Sequence, residues 1–115
     1  MQFTVTDDDT ALALGSGDIP VLGTPRLIAW LEAATVAEAA PRLDPGQTTV
    51  GAAIRVRHRR PTPVGGTVDV YASLTTEGDR LTFDVSAVDG DGHYVADGEI
   101  DRVVVDRAAF GSAST

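Results

Sequence analysis

A hydroxyl, a carboxylate and an imidazole that together could hydrolyse an activated carbonyl stand at Thr24, Glu32 and His58. Glu32 follows Thr24 by eight residues, about two turns if both lie on one helix. On a helical wheel it falls between Ile28 and Val36, beside Thr35 and Ala39, in an apolar sector. A carboxylate there faces a sheet or a subunit interface and needs a partner or a use. His58 ends an alternating segment in which Val50, Ala52, Ile54 and Val56 form one face, and its ring continues that face. Arg55, Arg57 and Arg59 point to the other side. An imidazole has the ordinary pKa best suited to proton transfer near neutrality. Taken singly, each residue has a plainer reading: Thr24 as a helix cap, Glu32 leaning into solvent, His58 as a satisfied histidine at a strand end. Together they supply the types that acid–base catalysis on a carbonyl requires.

The elements that would position them are legible from pattern. Thr24-Pro25 reads as N-cap and N1 of a helix that stops near Ala40, before Pro41. Leu27, Ile28, Trp30, Leu31, Ala34, Thr35, Val36 and Ala39 cover most of its circumference, so it should be largely buried. Four period-two segments follow, near residues 49–59, 67–76, 80–88 and 94–105, after a short strand near 2–6. Glu77-Gly78-Asp79 and Asp89-Gly90-Asp91-Gly92 suit hairpin turns, and the run from Pro61 to Gly66 suits a wider one, which together predict a meander. The expected fold is α+β: a curved antiparallel sheet of about five strands wrapped around one long central helix, the hotdog arrangement. A cystatin-like or other α+β roll fits the same element order, but would leave a polar stripe on the helix, and that stripe is nearly absent.

Composition narrows the function. The 115 residues suit a single domain, expected over 1–110, with a loose stretch at 111–115. No run reaches the ~20 apolar residues that cross a bilayer, and the N-terminal residues lack a signal-peptide pattern, so the expectation is a cytoplasmic protein. The net charge of −8 argues against nucleic acid and anionic membrane as partners. With no cysteine and two histidines, a metal centre would need mostly carboxylate ligands, and none is expected. His93, beside the Asp89–Gly92 turn, reads as an exposed loop residue.

Gly23-Thr24-Pro25, Trp30-Leu31-Glu32-Ala33-Ala34, Leu43-Asp44-Pro45-Gly46-Gln47-Thr48-Thr49-Val50-Gly51 and Ile54-Arg55-Val56-Arg57-His58 resemble the fluoroacetyl-CoA thioesterase-like branch of the hotdog thioesterases. The resemblance runs from about Val21 to Phe110. It implies an acyl-CoA thioesterase with Thr24 as orienting hydroxyl, Glu32 as base or nucleophile and His58 as acid/base. It further implies that the amide of Gly51 helps to bind the thioester carbonyl. The substrate would be an acyl-CoA or acyl-carrier thioester, with no cofactor beyond the coenzyme A of the substrate. A homodimer joined edge to edge is implied, and a tetramer is left open. Arg55, Arg57, Arg59 and Arg60 could bind the CoA phosphates, or form a solvated face salt-bridged to Asp69 or Asp84. One departure counts: the fluoroacetate-specific members carry a longer, aromatic-rich lid, whereas Gly15-Ser16-Gly17-Asp18-Ile19-Pro20-Val21-Leu22 is short and has no aromatic residue. That argues for a broader or different acyl group. The competing readings are an acyl-CoA-binding module without turnover and, behind it, a hotdog dehydratase.

Overall fold

In a computed structural model, which describes residues 1–113, the alternating segments form five antiparallel strands, β1 (Gln2–Thr4), β2 (Gln47–His58), β3 (Thr67–Glu77), β4 (Arg80–Asp89) and β5 (Tyr94–Asp106). A short helix α1 (Ala11–Leu14), the long helix α2 (Thr24–Ala39) and a C-terminal helix α3 (Arg107–Ala113) complete it, with single 3-10 turns at Asp7–Asp9 and Ala40–Arg42. The sheet order is β1-β3-β4-β5-β2. The hotdog arrangement is as expected, with α2 lying across the sheet. The simple meander is not: β3, β4 and β5 are consecutive, but β2 pairs with β5, so residues 59–66 carry the chain from one side of the sheet to the other. Turn chemistry fixed the hairpins, whereas nothing local decides which neighbour a long strand takes.

The core lies between one face of α2 and the concave side of the sheet. Leu27, Trp30, Leu31, Ala34 and Ala39 pack against Val68, Val70, Phe83, Val85 and Ile100. The Trp30 ring stacks on Phe3 of β1 with centroids 4.6 Å apart and planes within 3°, a parallel contact that adds to the burial of both rings. The expectation of a helix buried on nearly every side is corrected for the single chain: the face bearing Ala29, Val36 and Ala37 is exposed, Val36 by 48%. The sequence reports that this face is apolar; the structure shows that the chain's own sheet does not cover it.

The stretch between β1 and α2 is pinned down. The Arg26 guanidinium meets the Asp9 carboxylate at 3.0 Å, and the amide of Leu22 donates to the carbonyl of Thr62 at 2.8 Å. These contacts hold residues 15–22 over the N-terminal end of α2. The loose stretch expected at 111–115 lies partly outside the described residues; through Ala113 the chain is in α3. No helix among the described residues is long and apolar enough to cross a membrane.

Candidate active site

Thr24 opens α2, but not as its cap. The N-cap is Gly23, in extended conformation, which leaves Thr24 at N1 and Pro25 at N2. The N-cap role expected of Thr24 is therefore corrected, and the reason is visible: its hydroxyl is engaged elsewhere. Oγ1 of Thr24 lies 2.8 Å from Nδ1 of His58, 34 residues away in sequence, at the last residue of β2. Either Thr24 donates to an unprotonated Nδ1 or Nδ1–H donates to the hydroxyl. The other ring nitrogen, Nε2, is buried and has no hydrogen-bond partner among the described residues. Burial lowers the pKa of the His58 ring from its usual 6.5, an effect that the nearby Arg60 backbone partly offsets. A ring kept unprotonated near neutrality, with a hydroxyl against one nitrogen, is available to act as a base.

Two hollows of about 230 Å³ each flank this pair. One is lined by Ala11, residues 16–19, Val21, Leu22, Thr24 and His58, the other by Val21, His58, Arg59, Arg60 and Pro61. A larger hollow of about 330 Å³ lies between residues 61–67 and the β4–β5 turn, where no imidazole and no residue of α2 reaches it. Chemistry rather than size selects the first two.

Glu32 is elsewhere. About 12 Å of helix separates its backbone from that of Thr24, and its side chain, 34% exposed, turns to β2 and β5. Oε2 lies 3.3 Å from Nη1 of Arg102. It also abuts Gly51, where an added Cβ would come within 2.7 Å of the same oxygen. Glycine is thus required at 51 for the carboxylate to lie where it does. A β-bulge between Gly51 and Ala53 interrupts the pairing with β5 there, as bulges often do beside functional groups. Within one chain, then, the structure joins Thr24 to His58 and Gly51 to Glu32, but does not bring Glu32 to the imidazole.

The arginine row lies on the outer face of the sheet. Arg55 meets Glu99 at 3.3 Å and Asp101 at 3.1 Å, and Arg59 grips both carboxylate oxygens of Asp97 at 2.7 and 3.1 Å. The hydrogen bond from Arg55 holds the Asp101 carboxyl below its usual range. The partners are thus carboxylates of β5, not Asp69 or Asp84, because β2 neighbours β5 rather than β3. Arg60 reaches only to 4.0 Å from Asp89, and Arg57 has no ion pair among the described residues. His93 is exposed, as expected, with Nδ1 3.7 Å from Asp89.

Arg102 escaped the sequence reading. Its signal was the period of β5: Ile100, Arg102 and Val104 share one face, so the alternation sends a guanidinium inward between aliphatic residues.

The chain matches the family described as fluoroacetyl-CoA-specific thioesterase over residues 5–108. A curated fluoroacetyl-CoA thioesterase of Streptantibioticus cattleyicolor is 45% identical over 71 residues, 61% of this chain and 51% of that protein, so the match spans about half the length of that relative. Among solved structures, a point mutant of the fluoroacetyl-CoA-specific thioesterase FlK, crystallised with fluoroacetate and CoA, superposes with a TM-score of 0.91 at 33% identity, covering 99% of this chain and 94% of that one. A thioesterase superfamily member of Thermus thermophilus superposes with a TM-score of 0.89 at 25% identity, over 98% of this chain and 84% of that one.

Proposed function

Because this chain belongs to the fluoroacetyl-CoA-specific thioesterase family, we propose that it hydrolyses a small or medium acyl-CoA thioester to the free acid and CoA. The observation that carries the reading is the 2.8 Å contact between Thr24 and His58 on the wall of an open hollow. In this reading Glu32 either draws a proton from the attacking water or adds to the carbonyl carbon itself. The C–S bond then breaks, and the departing thiolate leaves with a proton that His58 helps to deliver; on the second route this leaves an acyl–Glu32 anhydride, which water cleaves to release the acid and restore the carboxylate. Thr24 orients the reacting groups, and the Gly51 amide stabilises the oxyanion.

The active unit in this reading is a homodimer. Three features support it: β2 is an edge strand of 12 residues, Ile54 on it is 41% exposed, and the open face of α2 is apolar. A long unpaired edge beside such a face invites a second copy. Since one chain holds Glu32 apart from His58, each site would take the carboxylate from one subunit and the Thr24–His58 pair from the other. Arg60, which lines the second hollow and has no carboxylate nearer than 4.0 Å among the described residues, would meet the CoA phosphates; Arg57 adds positive charge nearby, whereas Arg55 and Arg59 are already committed to Asp101 and Asp97. The acyl group would meet Gly17, Ile19 and Val21, with no phenylalanine, tyrosine or tryptophan among the first hollow's lining residues, which supports a range of acyl groups broader than fluoroacetyl.

The test is thiol release across acyl-CoA chain lengths, for the parent, Glu32→Gln and His58→Ala. Each variant should lose about 10²-fold or more in kcat. Mixing the two inactive variants should restore about a quarter of parental activity, because half the dimers then carry one intact composite site. Tight retention of acyl-CoA without thiol release would replace hydrolysis by binding. Failure of the mixture to recover, with subunit exchange verified, would place the whole site in one chain.

A further inference from the structure

We propose that Arg102 is a positioning residue that, locked onto Thr49, fixes which oxygen of Glu32 faces the substrate; the inference rests on the reading of Glu32 as the reacting carboxylate. Arg102 is 6% exposed, and a buried guanidinium is tolerated only where its donors find acceptors. Two of its three nitrogens are spent on a single residue of β2. Nε donates to Oγ1 of Thr49 at 2.7 Å and Nη2 to the Thr49 carbonyl at 3.2 Å. The guanidinium is a rigid plane, so anchoring those two nitrogens sets the place of the third. Nη1 is thus a donor located by the sheet, and it meets Oε2 of Glu32 at 3.3 Å.

Glu32 itself hangs on a side chain with three rotatable bonds and would otherwise sample several directions. Gly51, paired with Arg102 across β2 and β5, presses on the same Oε2 from the strand side. One oxygen is therefore held by Arg102 and flanked by glycine. Oε1 makes no hydrogen bond among the described residues and is the oxygen left for water or the carbonyl carbon. Lysine at 102 would keep the charge but could not span Thr49 and Glu32 at once.

The experiment is a double-mutant cycle on kcat and KM, with Arg102→Lys, Arg102→Gln and Thr49→Val each made in the parent and in Glu32→Gln. Both Arg102 variants should lower kcat by about 10²-fold with KM within about threefold, as misplacement of a reacting group does. Thr49→Val should cost about tenfold, since only one anchor is removed. None of the three should lower the residual rate of Glu32→Gln further. Parental kcat in Arg102→Lys, or an equal loss in both backgrounds, would overturn the positioning role while leaving Glu32 in place. Full activity of Glu32→Gln would instead overturn the catalytic reading and this inference with it. Should the Arg102 variants fail to fold, Thr49→Val decides: a loss of kcat confined to the Glu32 background supports the role, and no loss refutes it.

Discussion

At the N-terminal end of α2, the His58 ring sits against a neutral hydroxyl, gives up water and meets no countercharge among the described residues. About two turns further along the same helix, Glu32 meets a guanidinium that is itself more deeply buried than the carboxylate it holds. The first group is held toward its neutral form by loss of water, with only the Arg60 backbone working against that. The second is held in place, because moving it would leave the buried Arg102 guanidinium without its carboxylate partner. In the proposed hydrolysis both kinds of group have a use, and the fold places them apart in each chain. The outer face of the sheet shows a third arrangement, in which Arg55 and Arg59 spend their charge on carboxylates of β5 in reach of water.

The contrast can be broken most sharply at Gly51. Gly51→Ala puts a methyl where Oε2 of Glu32 lies, and should lower kcat by about 10–10² fold while the Thr24–His58 end is untouched. Thiol release measured beside a thermal melt would show loss of rate at nearly parental Tm; an active Gly51→Ala enzyme would mean that the carboxylate's place is not fixed.

The His58 end should respond to pH. Its folded pKa is depressed, so the neutral ring persists below pH 6.5, and any acid limb of kcat/KM due to it should have its midpoint below that value. The sign for stability follows from linkage. As pH falls past the ordinary histidine pKa, the unfolded chain binds the proton first, so this group's contribution is complete above about pH 6.5 and shrinks below it. Melts from about pH 7.5 to about pH 5 should decline less steeply for His58→Leu than for the parent. Equal slopes would mean that the ring is not desolvated.

The smallest effects belong to the outer face. Arg60→Gln should raise KM for acyl-CoA by roughly threefold to tenfold, with kcat retained and no change toward a pantetheine thioester that lacks the CoA phosphates. Arg55→Gln should leave both constants unchanged and give only a small, salt-sensitive drop in Tm. A KM effect at Arg55 equal to that at Arg60 would erase the distinction between committed and available arginines.

Much of this was legible before any coordinates. Period-two alternation located the four long strands and the wheel of α2 marked its apolar circumference. His58 ends an inward face as the pattern reads, but Val50 does not share it: the bulge between Gly51 and Ala53 switches the strand's faces, so that Thr49 and Gly51 point inward before it and Ile54, Val56 and His58 after it. The N-cap was misjudged by one residue because a threonine before proline satisfies the capping rule, and only the approach of His58 shows that its hydroxyl has another partner. The ion-pair partners were misjudged because Asp69 and Asp84 belong to strands that β2 never touches. The inward position of Arg102 can be counted from Ile100, but alternation gives a face and says nothing of what waits there.

The sequence by itself determined the elements, the apolar faces and the chemical types available, because those follow from propensity and period along a few neighbouring bonds. The pairing of β2 with β5, the joining of Thr24 to His58, and the holding of Glu32 by Arg102 against Gly51 were decided only in three dimensions. Each depends on residues between 19 and 70 positions apart, and contacts at that separation are set by how the sheet is ordered and how the helix crosses it, quantities that no local pattern encodes.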